Sequence, residues 1–159
     1  MIHPWDWSVS SLWRRVRWGR YRMFANEYEP FDVRGKVVLD VGAYDGDSAK
    51  YFLQRGAKEV IAIEKDRDKA ERIPLNPKIH VVAEPFSLWH LHLPHDCMKM
   101  DIEGYETMLL GHEETIPSLK PTIMEVHNWW LVEQFTKRGF RVIHTSDPMI
   151  GICTMVNYP

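Results

Sequence analysis

The sequence predicts an α/β domain built on an open, mostly parallel β-sheet. Three observations carry this reading. Short β-branched runs alternate with helical stretches from Lys36 onward, the pattern of repeated strand–helix–strand units. The chain has 159 residues, the size of one domain. Hydrophobic residues make up 45% and charged residues 26%, a balance that belongs to globular rather than disordered chains.

The elements follow in order. "KVVLDV" (residues 36–41) is a strand with no polar alternation until its end, suited to burial on both faces. "GAYDGD" is a turn, and "SAKYFLQRG" is a helix closed by Gly56. "EVIAIE" is the second strand, and "KDRDKAERI" is a short helix that ends before Pro74. "KIHVVA" and "CMKMD" are the third and fourth strands, with "WHLHLPHD" read as a loop between them. A helix follows near residues 104–111, then the strand "PTIMEVH" and the helix "WWLVEQFTKRG", closed by Gly139. "FRVIHT" and "GICTMVNY" are joined by Ser146-Asp147-Pro148, so the last pair reads as antiparallel.

Residues 1–35 differ from the rest and read as a Trp/Arg-rich helical cap on the domain formed by residues 36–159. Four of the seven tryptophans (Trp5, Trp7, Trp13 and Trp18) lie in the first 18 residues. Ser8 to Phe24 holds five arginines and no acid. Val9, Leu12, Trp13, Val16, Met23 and Phe24 repeat at helical spacing, with Arg14, Arg15, Trp18, Tyr21 and Arg22 opposite. Such a helix can cover the domain, lie on anionic headgroups or stack on RNA. The net charge of −2 excludes a globally basic nucleic-acid binder. No apolar run approaches the ~20 residues of a membrane span. Cys97 and Cys153 form no C-x-x-C pair, which reads as a reducing cytoplasm.

The first strand-to-helix turn, "VLDVGAYDGDSA", is where such sheets bind ligands. Gly42 and Gly46 allow a tight turn and close backbone approach to a ligand. A dinucleotide fingerprint needs glycines where Tyr44 and Asp47 stand. Tyr44 blocks a pyrophosphate, and Asp45 and Asp47 repel one. Glu64 follows Gly42 by 22 residues, the place of a carboxylate that binds ribose hydroxyls. Asp40 ends the first strand, where a carboxylate can hold an ammonium group. Adenosine, positive charge and no phosphate together point to S-adenosylmethionine.

These residues resemble a known family. "KVVLDVGAYDGDSAKYFLQRGAKEVIAIEKD" is similar to the first half of a class I S-adenosylmethionine-dependent methyltransferase. "KMDIEGYE" and "IMEVH" resemble the FkbM-type subgroup, whose pattern is K-x-D-[IV]-E-G-x-E followed by an E-x-H strand. The resemblance covers residues 31–158. It implies a Rossmann-like fold with a seven-stranded sheet, the last strand antiparallel and helices on both faces. It implies O-methylation of a small molecule, sugar or glycolipid. Carried over by position, Asp40, Gly42, Ala43, Tyr44, Asp45 and Gly46 line the methionine part of the cofactor. Glu64 and Lys65 lie at the ribose, Glu84 and Phe86 flank the adenine, and Asp101 lies near the methyl group.

An alcohol acceptor needs a base within hydrogen-bond reach. The candidates are Asp101, Glu103, Glu125 and His127. Glu125 and His127 alternate and so share one strand face. His127 leads because its unperturbed pKa lies near neutrality, and Asp101 is second. Lys99 and Glu106 read as an ion pair that holds the "DIEGYE" turn. The same acids with His127 offer ligands to a hard metal ion, although their spacing does not demand one, and the expected metal is none. His90, His92, His95 and Asp96 lack zinc spacing and read as exposed. Trp129 and Trp130 read as a wall of an acceptor pocket or as core. The expected partners are a small-molecule or glycan acceptor, with RNA the rival through the basic helix, and a second copy in a homodimer. The other rival is a non-catalytic module that binds S-adenosylmethionine.

Overall fold

The computed structural model describes residues 27–112, 115–116, 119–149 and 151–157. The expected N-terminal helix lies outside the described residues. Seven strands form one sheet in the order β3-β2-β1-β4-β5-β7-β6. They are β1 (Val37–Val41), β2 (Glu59–Ile63), β3 (Ile79–Val82), β4 (Cys97–Met100), β5 (Thr122–Val126), β6 (Arg141–Asp147) and β7 (Ile152–Asn157). The first five pair in parallel, and β7 runs antiparallel to both β5 and β6. The α/β class and the antiparallel ending are as the sequence predicts.

Helices cover both faces. On one, helix α1 (Asp47–Gln54) brings Ala49, Tyr51 and Phe52 onto Val38, Val60 and Ile123. Tyr28 and Phe31, from the segment before β1, complete that layer, with Phe52 against both rings. On the other, helix α4 (Trp129–Lys137) brings Leu131, Val132 and Phe135 onto Leu39, Met98, Met124 and Met155. Asn128 caps α4 by accepting a hydrogen bond from the Leu131 amide at 2.9 Å. The central strands are buried on both faces, hence their mostly apolar sequences, broken inside β1 and β4 only by Asp40 and Lys99.

Among the described residues the remaining α-helices are single turns, α2 (Arg67–Ala70) and α3 (Thr107–Leu110). Two local readings change. Residues 88–92 form a 3₁₀ turn rather than a loop. Strand β6 runs on through Asp147, so Ser146 and Asp147 belong to the ladder and the reversal falls at 148–151. The Asp147 carboxylate sets that reversal by accepting the Met149 amide at 2.9 Å.

The strand order reverses between β1 and β4. Loops leaving these strands diverge there and open a crevice at their carboxyl ends. The cavity described next lies at that point.

Candidate active site

A cavity of about 610 Å³ opens at the carboxyl ends of β1, β2 and β4, within the ~300–1,000 Å³ of small-molecule sites. Its wall includes Gly42, Ala43, Tyr44 and Asp45 from the turn after β1, and Glu64 and Lys65 after β2. Phe86 and Pro85 come from the segment after β3, and Lys99, Asp101 and Glu103 from β4 and beyond. Tyr44 and Glu103 both line it with positive φ, 52° and 57°. Neither is glycine, so each holds local strain of order 1–3 kcal/mol.

Glu64 is 6% exposed, so it is not a solvated strand end. One carboxylate oxygen accepts the Tyr44 amide at 2.9 Å, and the other accepts the Asp66 amide at 2.9 Å. These bonds fix the carboxylate and leave each oxygen a further lone pair for a hydroxyl donor.

The glycines act differently from the expectation. A Cβ on Gly42 would stand 1.8 Å from the Asp101 carbonyl oxygen, and one on Gly46 2.9 Å from Ile73 Cγ2. Both keep room for neighbouring protein, and of the two only Gly42 also lines the cavity.

Asp40 also stands back from the cavity wall. Its side chain is fully buried and faces Lys99, its direct neighbour in the β1–β4 register. Lys99 Nζ lies 3.2 Å from Asp40 Oδ1 and donates to the Gly42 carbonyl at 2.8 Å. The Ser48 hydroxyl donates to Asp40 Oδ2 at 2.6 Å. Lys99 therefore pairs with Asp40 instead of Glu106, because the parallel register decides its neighbour. Burial acts to lower the Lys99 pKa, and the Asp40 and Asp101 charges outweigh it and raise it.

Asp101, Glu125 and His127 do come together. One ligand atom from each lies within 4.8 Å of the others. Nδ1 of His127 lies 3.3 Å from Oε1 of Glu106, which is fully buried. This pairing carries His127 up to about 9 against the effect of burial. The neutral-pH argument for His127 as base is therefore weaker in the fold, because Glu106 favours its protonated form. Burial, with the charges of Asp101 and Glu27, pushes Glu125 up to about 7.

Glu27 is the residue that sequence reasoning missed. It is 5% exposed, accepts a hydrogen bond from the Ser146 hydroxyl at 3.4 Å, and has its pKa raised by burial. It sits in a segment read as loop, and no periodicity signalled it.

Other candidates fall outside the cavity. Glu84 points its carboxylate at His90 Nε2, 2.9 Å away, while Phe86 stays in the wall. His90 and His95 are buried rather than exposed. His90 is held by Ser87 and stacked on Trp89 at 4.1 Å. Among the described residues these histidines join no metal-ligating group. Trp129 and Trp130 are about half exposed, outside both core and cavity wall. Lys65 and Lys69 lie over the rings of Tyr105 and Tyr44, at 4.9 and 4.5 Å.

No family model matches the chain. Among solved structures it is similar to fibrillarin from Aeropyrum pernix in complex with natively bound S-adenosyl-L-methionine. That likeness covers 87% of this chain and 75% of fibrillarin, with a TM-score of 0.62 at 14% identity. At that identity it shows the fold alone, a Rossmann-like α/β fold. In sequence the chain is similar to uncharacterized protein 65 of Sulfolobus islandicus filamentous virus (isolate Iceland/Hveragerdi). The two are 28% identical over 126 residues, 77% of this chain and 78% of the viral protein. Uncharacterized protein 158B of Sulfolobus islandicus rod-shaped virus 1 is 30% identical over 115 residues, 69% of this chain and 72% of that protein. The chain therefore belongs to the same family as protein 158B of that rod-shaped virus.

Proposed function

We propose that this protein binds S-adenosylmethionine and transfers its methyl group to a hydroxyl of a small molecule, sugar or glycolipid, as the FkbM-type motifs imply. One observation carries the reading. A cavity at the strand-order reversal joins an anchored carboxylate, Glu64, to the Asp101–Glu125–His127 group through a shared wall residue, Asp101.

The wall fits the cofactor. Glu64 offers free lone pairs to ribose hydroxyls, with Lys65 beside it. Phe86 and Pro85 offer apolar surface to a base. Asp45, Asp101 and Glu103 supply negative charge that suits a sulfonium and repels a phosphate. When bound, the cofactor supplies a methyl group already activated for displacement. The chain's own task is to hold an acceptor oxygen in line and to ease the loss of its proton. Glu125, raised to about 7 by burial, suits that proton, with Asp101 and the protonated form of His127 beside it to orient the acceptor. Asp40 acts from behind, holding Lys99 and through it the Gly42 carbonyl. Both cysteines are free and buried, which agrees with a reducing, cytoplasmic setting. Among the described residues no helix is long and apolar enough to cross a membrane.

Calorimetry and turnover test this reading together. Glu64→Ala is expected to weaken S-adenosylmethionine binding at least about tenfold, the ~1.4 kcal/mol of one charged hydrogen bond. His127→Ala is expected to abolish turnover of a hydroxyl acceptor while cofactor affinity stays near that of the wild type. Unchanged cofactor affinity in Glu64→Ala would sink the site assignment. Retained turnover in His127→Ala would remove His127 from the mechanism.

A further inference from the structure

We propose that Asp101, Glu125 and His127 form a binding site for one divalent transition-metal ion, with Mn²⁺ the best match, at the acceptor end of the cavity. The site as a metal site stands on its own geometry. Its use, to hold and polarise an acceptor oxygen, rests on the methyltransferase reading above.

The distances carry the first part. His127 Nε2 lies 3.7 Å from Asp101 Oδ1 and 3.7 Å from Glu125 Oε2. Both exceed a hydrogen bond, which closes at ~3.2 Å. The three groups face one another across a gap instead of bonding directly. Oxygen and nitrogen ligands ~2.1 Å from one ion stand ~3.0 Å apart when adjacent and ~4.2 Å when opposite. The two His127 separations are wider than the adjacent spacing, and one atom from each of the three lies within 4.8 Å of the others, so binding an ion draws the side chains inward.

The second part is the support behind His127. Metal-bound histidines commonly present their other ring nitrogen to a carboxylate, which fixes the ring and selects the ligand atom. Here Nδ1 faces Glu106, 3.3 Å away, and Nε2 faces the two open carboxylates. The Glu106 side chain is fully buried, and among the described residues its Oε2 and His127 Nδ1 make no hydrogen bond, so the two groups meet as an ion pair. The Ile102 amide holds Oε1 at 3.2 Å. Glu106 thus holds the turn through the Ile102 amide and orients His127 with the same carboxylate.

The third part is charge. Glu27, Asp101, Glu106 and Glu125 crowd this corner, and Glu27 is 5% exposed. Lys99 is committed to Asp40 at 3.2 Å and reaches Asp101 only at 4.0 Å. Such an excess of carboxylate is stabilised by a divalent cation more than by one further proton. Two carboxylate oxygens favour Mg²⁺ and Mn²⁺, and the imidazole favours later metals, so Mn²⁺ satisfies both. Three protein ligands leave positions open for water or an acceptor oxygen. Coordination there lowers the pKa of a hydroxyl.

The test uses the full chain, freed of metal by chelation and titrated with Mn²⁺ alone. Loss of the free Mn²⁺ paramagnetic resonance signal and calorimetry report binding. The expected result is one saturable site per chain with a dissociation constant below about 100 μM. His127→Ala and Glu125→Gln should each weaken it at least tenfold. Glu106→Gln should weaken it 10–100-fold, as for outer-shell carboxylates. Each variant is checked by circular dichroism. Asp101→Asn serves as the replacement ligand variant where one of them fails to fold. No saturable site up to millimolar Mn²⁺, or full affinity in folded ligand variants, overturns the proposal. S-adenosylmethionine affinity measured on the same samples separates the two readings. Mn²⁺ binding without cofactor binding leaves the metal site standing and removes the methyltransferase. Cofactor binding without Mn²⁺ binding does the reverse.

Discussion

Replacing Lys99 by methionine removes the cation that faces Asp40 inside the sheet and keeps most of the side-chain volume. The two side chains are 3% and 0% exposed and stand 3.2 Å apart. Without Lys99, Asp40 retains the Ser48 hydroxyl at 2.6 Å as partner to a buried negative charge. Breaking one side of such a pair costs about 3–5 kcal/mol. The lost donation to the Gly42 carbonyl lies within that range rather than beyond it. A domain of this kind has about 5–15 kcal/mol in total, so the change removes a large share of its stability. Urea unfolding followed by tryptophan fluorescence measures the effect. With a slope of about 2 kcal/mol/M, the midpoint falls by about 2 M. Adding Asp40→Asn to Lys99→Met removes the stranded charge and should recover at least half of the loss. The Lys99 pKa is raised above its ordinary 10.5. Its contribution is therefore complete below pH 10.5 and is lost as pH rises through the folded value, so measurement at pH 7 reads all of it. A loss under about 1 kcal/mol in the single variant, with no recovery in the double, would refute the claim that the pair is electrostatically coupled.

Two further outcomes are expected. Gly42→Ala, with a Cβ 1.8 Å from the Asp101 carbonyl and a φ of 77°, should cost more than about 3 kcal/mol and lower Tm by about 8 °C or more. Gly35→Ala, at φ 70° with open space around it, should cost only about 1–2 kcal/mol, and equal Tm losses in the two variants would contradict the close-approach argument. Burial pushes the Cys97 thiol from 9.0 up to about 11. Neither cysteine should react with a thiol reagent at pH 8 until the chain unfolds. Because the unfolded thiol ionises first, stability should fall between pH 9 and 11 by up to about 3 kcal/mol. An identical fall in Cys97→Ala would assign it to other groups.

Much of the fold was legible because local signals agreed with one another. The apolar runs of β1, β2 and β4 are buried on both faces, and a strand with no solvent face has no polar alternation to hide it. Glu64 was found by its distance from Gly42, since the length of one helical crossover sets that spacing. Asp101 was legible as a polar residue at a strand end, whereas Phe86 came only from the family resemblance. Glu27 escaped notice, and Glu106 was matched to Lys99 rather than to His127. Their roles depend on which strand or histidine they face, and nothing in their own neighbourhood in the chain encodes that. His90 was misread as exposed because "WHLHLPHD" reads as a loop, whereas Ser87, Glu84 and two aromatic rings close around it.

The sequence by itself determined the strand–helix alternation, the antiparallel finish, the glycine turn without a phosphate site and the carboxylate at the end of β2. Each of these is written in short-range periodicity or in the spacing of one crossover. Only the tertiary structure decided that Asp40 pairs with Lys99, that Gly42 yields to the Asp101 carbonyl, and that Asp101, Glu125 and His127 converge in front of Glu106. Those outcomes follow from register between strands far apart in the chain. A shift of one residue there would turn each side chain to the opposite face.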